Sequence, residues 1–180
     1  IMPFLEVLTR TYKRPRMLAA NMASLEAQTD DDHIQTLLND DEGRGIAWSY
    51  RNLASYAPFL TGDYVWILDD DDMAVSQTLV SDLKGIVEAH NPDVIMLKMD
   101  HGRLGILPKS CWQKQPEIGG IGCSAFVVKR EIWQRHSKFF GSHYAGDYDF
   151  IASIFARDYD IYWFDCVASR VQQISYGAVE

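Results

Sequence analysis

The first half of the sequence alternates short apolar segments with amphipathic ones. Residues 4–8, 34–38 and 64–68 are largely apolar and are bounded by polar or turn-forming residues, which predicts three short strands. Apolar residues recur at helical spacing after Pro15 and again after Ile46, which predicts a helix behind each of the first two strands. Because neighbouring parallel strands need a crossover connection, this order predicts an α/β fold with a mostly parallel sheet and helices on both faces.

The second half shows weaker versions of the same patterns. It predicts helices near residues 79–87 and from about Asp147, and strands at 94–99, 125–128 and 161–164. With 180 residues and 47% hydrophobic side chains, the chain has enough apolar surface for one core and no room for a second full domain. We therefore predict a single domain that covers the whole sequence.

The charge balance disfavours several kinds of partner. There are 17 Lys and Arg against 25 Asp and Glu, which gives a net charge of −8, so attraction to nucleic acid or to an anionic membrane surface is unfavourable. No apolar run approaches the roughly 18–20 residues of a transmembrane helix, and the N-terminus lacks the pattern of a signal peptide. The three cysteines form no Cys-x-x-Cys pair, which favours free thiols in a reducing compartment. We therefore expect a cytoplasmic protein without a transmembrane segment.

Four consecutive aspartates, Asp69 to Asp72, follow directly after the third predicted strand. Unit charges about 5–6 Å apart repel each other by roughly 3 kcal/mol at an effective dielectric constant of about 20, so the cluster predicts a cation nearby. Carboxylate oxygens are the ligands that Mg2+ and Mn2+ prefer, and a cation bound by one or two of them keeps positions open for phosphate oxygens. The alternative is a solvated acidic loop in which Asp72 or Ser76 caps the next helix.

Polar side chains also follow the other two strands of the first half. They are residues 9–14 after the first strand, and Asp40 and Asp41 after the second. The carboxyl ends of parallel strands lie at one edge of a sheet, and ligands bind beyond that edge. The sequence therefore predicts one binding site that is built from the ends of three strands.

Six short segments carry the motifs of this half. They are Thr11-Tyr12-Lys13-Arg14-Pro15, Gln28-Thr29, Asp40-Asp41, Arg51-Asn52, Gly62-Asp63-Tyr64 and Asp69 to Asp72. Their order resembles that of family 2 glycosyltransferases, which have the GT-A fold, and the similarity extends from Phe4 to about Val75. The resemblance implies a single GT-A-like domain over residues 1–180, in which residues 1–75 form a Rossmann-like nucleotide-sugar-binding half and residues 76–180 a smaller acceptor-binding half.

The same resemblance implies an activity and assigns roles to residues. It implies an inverting, metal-dependent transferase that moves a sugar from a nucleoside-diphosphate sugar to an acceptor hydroxyl, with Mn2+ or Mg2+ bridging the diphosphate. Asp71 would be the main metal ligand, Asp69 would lie near the metal and the ribose, and Asp41 would accept a hydrogen bond from the nucleobase. The predicted substrate-binding residues are Thr11, Tyr12, Arg14, Asp41, Asn52, Asp69 and Asp70.

The start of the predicted helix near Asp147 supplies a candidate base. Residues 146–150 resemble the Glu-Asp-x-Asp-Leu segment of the family, with Gly146 in place of the Glu. The resemblance implies that Asp147 is the catalytic base, which removes the proton of the acceptor hydroxyl as its oxygen attacks the anomeric carbon. Asp149 is a second candidate. The alternative is that these carboxylates only stabilise the N-terminus of the helix.

Other residues are weaker candidates for the site. By the same resemblance the glycine-rich segment 119–122 would lie between donor and acceptor, although it is equally compatible with a turn before a strand. Arg170 would meet the diphosphate, or would be a surface arginine. His143 is near Asp147 in sequence, and Trp112 and Tyr144 can stack on a sugar or pack at the edge of the core.

Two alternative functions use similar sequence features. Nucleotidyltransferases also combine an α/β sheet with metal-binding aspartates, but typically have a glycine-rich loop after the first strand, and residues 9–15 contain no glycine. A non-catalytic nucleotide-sugar-binding or metal-binding module is the other alternative, because the chain is short for the family. Release of pyrophosphate from a nucleoside triphosphate would identify the first, and donor binding without turnover the second.

Overall fold

The computed structural model describes residues 2–172 and 179–180, which form eight strands and five α-helices in that part of the chain. The strands are β1 (Leu5–Thr11), β2 (His33–Asn39), β3 (Tyr64–Ile67), β4 (Asp72–Ala74), β5 (Val94–Asp100), β6 (Ile106–Leu107), β7 (Phe126–Lys129) and β8 (Ile161–Val171). The helices are α1 (Pro15–Glu26), α2 (Gly45–Tyr56), α3 (Leu79–His90), α4 (Arg130–His136) and α5 (Gly146–Phe155). Short 3-10 segments lie at Ala57–Phe59, Cys123–Ala125 and Ser137–Phe140.

All eight strands belong to one sheet in the order β2-β1-β3-β7-β5-β8-β4, with β6 beside β5. The longer ladders are parallel and join β1 to β2, β1 to β3, and β5 to β8. The shorter ladders are antiparallel and bring β7 between β3 and β5, and β4 to the end of β8. The predicted α/β class with a mostly parallel sheet is therefore confirmed. The division into a donor half and an acceptor half stays a prediction.

Helices cover both faces of the sheet, and a hydrophobic core lies under each layer. One core packs α1 and α3 against the sheet, and the other packs α2, α4 and α5. In β3, Val65 and Ile67 point into the second core, whereas Tyr64 and Trp66 point into the first. Because both faces of β3 are buried, the strand is apolar throughout rather than alternating, as the sequence pattern indicated.

The predicted elements agree with the structure except in three places, which are the end of the last strand, β4, and the unpredicted helix α4. The last strand continues to Val171, beyond the predicted end at residue 164, because polar side chains interrupt its apolar pattern. β4 was not predicted, since it has only three residues and begins with Asp72. It forms because Asp72 pairs with Val171 at the end of β8. The end of the aspartate run is therefore part of the sheet.

The carboxyl ends of β1, β2 and β3 lie side by side, as predicted. The Asp40 N–H donates to the Thr11 carbonyl at 2.9 Å, and the Asp70 N–H donates to the Arg10 carbonyl at 3.2 Å. These bonds join the first strand to the segments that follow the other two. Within the described part of the chain, no helix exceeds 12 residues or is apolar enough to cross a lipid bilayer.

Candidate active site

Asp69 forms a two-point ion pair with Arg10 at the end of β1. Arg10 Nε donates to Asp69 Oδ1 at 2.7 Å and Arg10 Nη2 donates to Asp69 Oδ2 at 2.6 Å. The guanidinium also lies 4.7 Å from the ring centre of Tyr50 and donates to the Ser49 hydroxyl at 3.3 Å. The side chains of Arg10 and Asp69 are only 13% and 18% exposed, so solvent screens this pair weakly. The pair anchors the start of the aspartate run to β1 and α2.

Arg14 pairs with the next two aspartates. Its Nε lies 3.1 Å from Asp70 Oδ2 and its Nη2 lies 2.5 Å from Asp70 Oδ1, while its Nη1 donates to Asp71 Oδ2 at 3.0 Å. The Thr11 hydroxyl forms a further hydrogen bond with Asp70. The repulsion within the run is thus offset by two arginines. The sequence predicted a cation here, and predicted that Arg14 lines a nucleotide pocket, without anticipating these ion pairs.

Burial nevertheless raises the pKa of three carboxyl groups of the run, those of Asp70, Asp71 and Asp72. Desolvation raises the pKa of Asp70 to about 6, although Arg14 and the Thr11 hydroxyl act in the opposite direction. Desolvation and the charges of Asp71 and Asp69 raise the pKa of Asp72 well above its ordinary value. A desolvated carboxyl group with neighbours of like charge holds its proton more tightly. The run therefore favours binding of a proton or another positive charge.

The arrangement of these carboxylates bears on the predicted metal. Their oxygens are suitable ligands for Mn2+ or Mg2+. However, both oxygens of Asp69 and both oxygens of Asp70 contact guanidinium groups, and the described residues include no group of three His, Cys, Asp or Glu side chains placed to hold a metal ion. As arranged, the residues do not form a metal site. Metal binding by Asp71 and Asp69 stays a prediction.

The two aspartates after β2 differ in their surroundings. Asp40 is buried, and its carboxylate accepts the backbone N–H groups of Glu42, Gly43 and Arg44 at 3.1, 2.9 and 2.6 Å. Burial alone would raise the pKa of Asp40, but these bonds lower it below its ordinary value. Asp41 is 70% exposed and lies 3.3 Å from the Arg44 guanidinium. Asp40 therefore shapes the loop, whereas Asp41, the predicted nucleobase acceptor, faces solvent.

The remaining predicted donor-site residues lie around this loop and on α2. Tyr12 packs against Gly43, where an added Cβ would lie 2.5 Å from the Tyr12 hydroxyl and where φ is +77°. Glycine is required at this position for both reasons. Thr11 is buried beside Asp70, and Asn52 is half-buried on α2. The structure brings Thr11, Tyr12 and the aspartate run to one edge of the sheet, but gives Asn52 no contact with them.

Asp147 is the second residue of α5 and belongs to the same cluster of charges as Asp69. Desolvation raises the pKa of Asp147 to about 6, the hydrogen bond from the Tyr148 N–H and the charge of Arg10 lower it, and the charge of Asp69 raises it. The Tyr148 N–H donates to Asp147 Oδ1 at 2.8 Å. The candidate base thus lies within electrostatic reach of the Arg10–Asp69 pair, although it comes from the other half of the chain.

Tyr50 on α2 packs against the start of α5 and so helps to position Asp147. Its hydroxyl donates to the Tyr144 carbonyl at 3.3 Å, and its ring would lie only 2.7 Å from a Cβ at position 146. The same Cβ would lie 2.4 Å from the Phe140 carbonyl. Gly146 is therefore needed for the close packing of α5 on α2. The glutamate of the resembled motif has no space there.

Three residues of the cluster were missed by sequence reasoning. They are Arg10, Tyr50 and Cys123. The Cys123 Sγ lies 3.5 Å from Arg10 Nη2 and 4.0 Å from the Tyr50 hydroxyl, and burial raises the pKa of its thiol well above the ordinary value. The available signal for Arg10 was its place among the polar residues 9–14 after the first predicted strand, whereas nothing local distinguished Tyr50 or Cys123.

The other candidates from the sequence lie elsewhere or have structural contacts. Asp149 pairs with His143, with 2.5 Å between Oδ2 and Nε2. Arg170 is exposed on β8 beside Met73, where its Nη2 lies 3.7 Å from the sulfur. Tyr144 is 76% exposed.

Trp112 and the glycine-rich segment mainly contribute packing. Trp112 meets Trp163 edge to face with 5.0 Å between ring centres, and Lys98 Nζ lies 4.6 Å from its ring. Gly122 packs directly against Met99, so a Cβ added at position 122 would lie only 2.3 Å from the methionine sulfur. This glycine therefore permits a close approach within the protein.

Several solved structures share this fold at low sequence identity. The 1–349 fragment of S. aureus TarS in complex with UDP matches with a TM-score of 0.73 and 15% identity, over 93% of this chain and 60% of that chain. The same fragment in complex with UDP-GlcNAc gives a TM-score of 0.70 and 13% identity, over 93% and 58%. The mannosyltransferase PcManGT from Pyrobaculum calidifontis in complex with GDP-Man and Mn2+ gives 0.65 and 15%, over 94% and 57%.

These similarities establish the fold class and a shared architecture with a known glycosyltransferase. The chain spans about 60% of the length of the TarS fragment that it matches. No protein-family profile and no curated protein sequence matches it. The activity therefore has to be argued from the site.

Proposed function

We propose that this chain is an inverting glycosyltransferase of the family 2 type, which transfers a sugar from a nucleoside-diphosphate sugar to an acceptor hydroxyl. The observation that carries the proposal is that the charges of Arg10 and Asp69 act on the Asp147 carboxyl group, so the candidate base lies within electrostatic reach of the candidate donor site. Direct transfer between two substrates requires this juxtaposition, because the acceptor oxygen must be activated next to the anomeric carbon.

The donor part of the proposal uses the edge formed by β1, β2 and β3. Tyr12 and Asp41 are proposed to hold the nucleoside, and Asp69 and Asp70 to face its ribose and diphosphate. The neighbours solved with UDP, UDP-GlcNAc and GDP-Man support a nucleotide-sugar donor. They differ in base and sugar, so the proposal extends only to the class of donor. The acceptor is proposed as a hydroxyl-bearing molecule, such as a saccharide.

The chemical part of the proposal assigns the base to Asp147. With a pKa of about 6, this carboxyl group is about 90% ionised at pH 7 and is more basic than an ordinary aspartate. It would take the proton of the acceptor hydroxyl while that oxygen bonds to the anomeric carbon. The bond from the anomeric carbon to the diphosphate breaks on the opposite face, so the nucleoside diphosphate leaves and the configuration inverts. Arg10 would stabilise the negative charge that grows on the leaving group.

The cofactor predicted from the sequence, Mn2+ or Mg2+, is a separate part of the proposal. The mannosyltransferase solved with Mn2+ supports it. A divalent cation supplies positive charge to a leaving diphosphate. Arg10 and Arg14 already supply positive charge to the same carboxylates. Titrations with and without metal measure how much a divalent cation adds to donor affinity.

Calorimetric titration with nucleoside diphosphates tests the donor assignment. We expect UDP or GDP to bind, and Mn2+ or Mg2+ to tighten binding if Asp71 is a metal ligand. Failure of every nucleoside diphosphate to bind, with or without metal, would show that the donor site is wrongly assigned. Slow release of sugar from a bound nucleotide-sugar distinguishes an enzyme from an inert binding module.

A further inference from the structure

A buried polar network lies beneath the aspartate run, and its central residue is Asn21 on α1. Asn21 is fully buried, and its Nδ2 donates to the carbonyls of Asp69 and Asp72, both at 2.9 Å, with the Leu68 carbonyl at 3.3 Å. These acceptors belong to the backbone that carries the four aspartates. One side-chain amide thus bridges both ends of the run.

The orientation of the Asn21 amide is fixed on its other side. Gln35 on β2 donates its Nε2 to Asn21 Oδ1 at 2.6 Å and to the Thr9 hydroxyl at 2.7 Å. A carbonyl oxygen only accepts hydrogen bonds, so a flipped Asn21 would place oxygen against oxygen on one side and nitrogen against nitrogen on the other. The network therefore permits one orientation, and it links β1, β2 and α1 to the run.

The end of β8 completes the support of this backbone. The Gln172 N–H donates to the Asp71 carbonyl at 2.7 Å, and the Gln172 side-chain amide donates to the Asp70 carbonyl at 3.0 Å. Every carbonyl of the run from Asp69 to Asp72 thus receives a donor from Asn21 on α1 or from Gln172, the residue that follows β8. Because the Asp69 side chain must meet both Arg10 and the donor, small movements of this backbone would displace it.

We propose that Asn21, oriented by Gln35, is a positioning residue for the donor site, and this rests on the proposed function. It acts through the backbone of the aspartate run and does not itself touch substrate. Replacing a residue that orients a metal ligand typically lowers affinity or activity by about 10–100-fold, and we expect a comparable effect for a residue that orients a donor-binding carboxylate. We therefore expect Asn21→Leu to weaken UDP or GDP binding by about tenfold.

Gln28, which lies two residues beyond the end of α1, provides a matched control. Its Nε2 donates to the Ser76 carbonyl at 2.6 Å and its Oε1 accepts the Val80 N–H at 3.2 Å, so it supports the backbone just after the run in the same way. Because Gln28 supports backbone outside the aspartate run, we expect Gln28→Leu to lower the free energy of unfolding. We expect it to change UDP or GDP affinity by less than about twofold, since separate sites act independently. Gln35→Met is a milder second variant, and we expect it to weaken binding in the same direction as Asn21→Leu.

Hydrogen exchange provides a readout that does not need the donor. The Asp70 and Asp72 N–H groups are bonded to the carbonyls of Arg10 and Asp69. We expect both to exchange at least about tenfold faster in Asn21→Leu and to be unchanged in Gln28→Leu, where the Val80 N–H exchanges faster instead.

The outcomes separate this inference from the proposed function. If the wild-type protein binds UDP or GDP and the Asn21 and Gln28 variants lose the same affinity, Asn21 acts only through overall stability and the inference is wrong. It is equally wrong if Asp70 and Asp72 exchange at the wild-type rate in Asn21→Leu. If the wild-type protein binds neither diphosphate, the proposed function fails, and the donor role of Asn21 fails with it.

Discussion

Two buried carboxylate sites lie at opposite ends of the parallel strands, and their environments differ. Glu6, near the start of β1, is fully buried and accepts the N–H groups of Thr61 and Gly62 at 2.7 and 3.0 Å. The hydroxyls of Thr36, Tyr56 and Thr61 donate to it as well. Burial opposes ionisation of Glu6, but these donors together lower its pKa below the ordinary value.

Asp70, at the carboxyl end of β3, and Asp147, at the start of α5, show the opposite balance. Desolvation dominates there, and it raises the pKa of Asp70 and of Asp147 to about 6 despite the nearby arginines. A carboxylate whose hydrogen-bonding capacity is met by the fold stabilises the fold. A carboxylate that stays basic because it is desolvated is suited to taking a proton or binding a positively charged group. The comparison therefore separates a structural site from a functional one.

Glu6→Gln is the strongest test of the structural side. The amide oxygen would take the place of Oε2 and accept the Thr61 and Gly62 N–H groups. The NH2 group would replace Oε1, which accepts the Thr36 and Tyr56 hydroxyls, and the negative charge would be lost, so we expect the free energy of unfolding to fall by about 3 kcal/mol. Urea denaturation measures this change. Exposed Glu26 on α1 gives the matched control Glu26→Gln, for which we expect almost no change. Equal stability of the two variants would contradict the structural role of Glu6.

Asp147→Asn tests the functional side. Removing a general base should lower kcat by about 100-fold or more and leave donor affinity within about twofold, since Asp147 is proposed to act on the acceptor. Steady-state kinetics and donor titration measure the two effects separately. Asp149→Asn is the control, because Asp149 pairs with His143. A larger loss of kcat in Asp149→Asn than in Asp147→Asn would show that Asp149, and not Asp147, is the base.

Arg10→Lys sharpens the comparison at the ion pair. The substitution keeps the charge but loses the two-point contact with Asp69, so we expect the free energy of unfolding to fall by about 2 kcal/mol and donor binding to weaken. Thermal and urea denaturation measure the first effect, and UDP titration the second. Exposed Arg16 provides Arg16→Lys as control. If Arg10→Lys binds the donor as tightly as the wild type, Arg10 is not part of the donor site.

The last prediction concerns the pH dependence of stability. The folded-state pKa of Asp147 is about 6 and its ordinary value is 3.8, so folding favours the protonated form. The contribution of Asp147 is therefore largest below pH 4 and is lost as the pH rises to about 6, by up to about 3 kcal/mol. Glu6 behaves in reverse, since its stabilising effect is lost as the pH falls through its lowered pKa.

The contribution of Asp147 is measured by comparing the free energy of unfolding of the wild type and of Asp147→Asn from pH 4 to pH 7. The stability of the wild type relative to the variant should decline over that range, since only the wild type must ionise a buried carboxyl group. Parallel curves would mean that Asp147 is well solvated in the folded protein, which would contradict its burial near the Arg10–Asp69 pair.

The sequence predicted the elements of the first half because their signals are local. Apolar runs, helical spacing and Pro15 all act between residues close in the chain, and α1 begins at Pro15 as expected. It also pointed to the aspartate run and to the start of α5. It missed β4, since a three-residue strand that begins with Asp72 exists only through pairing with β8.

The sequence by itself determined the fold class, the strand ends that carry polar residues, and the chemical types of the candidate site. The tertiary structure alone decided which charges meet: Arg10 with Asp69, Arg14 with Asp70 and Asp71, and Asp147 beside the first pair. The physical reason is distance along the chain. Periodicity reflects neighbours in sequence, whereas ion pairs, desolvation and the resulting pKa values depend on packing between segments that only folding brings together.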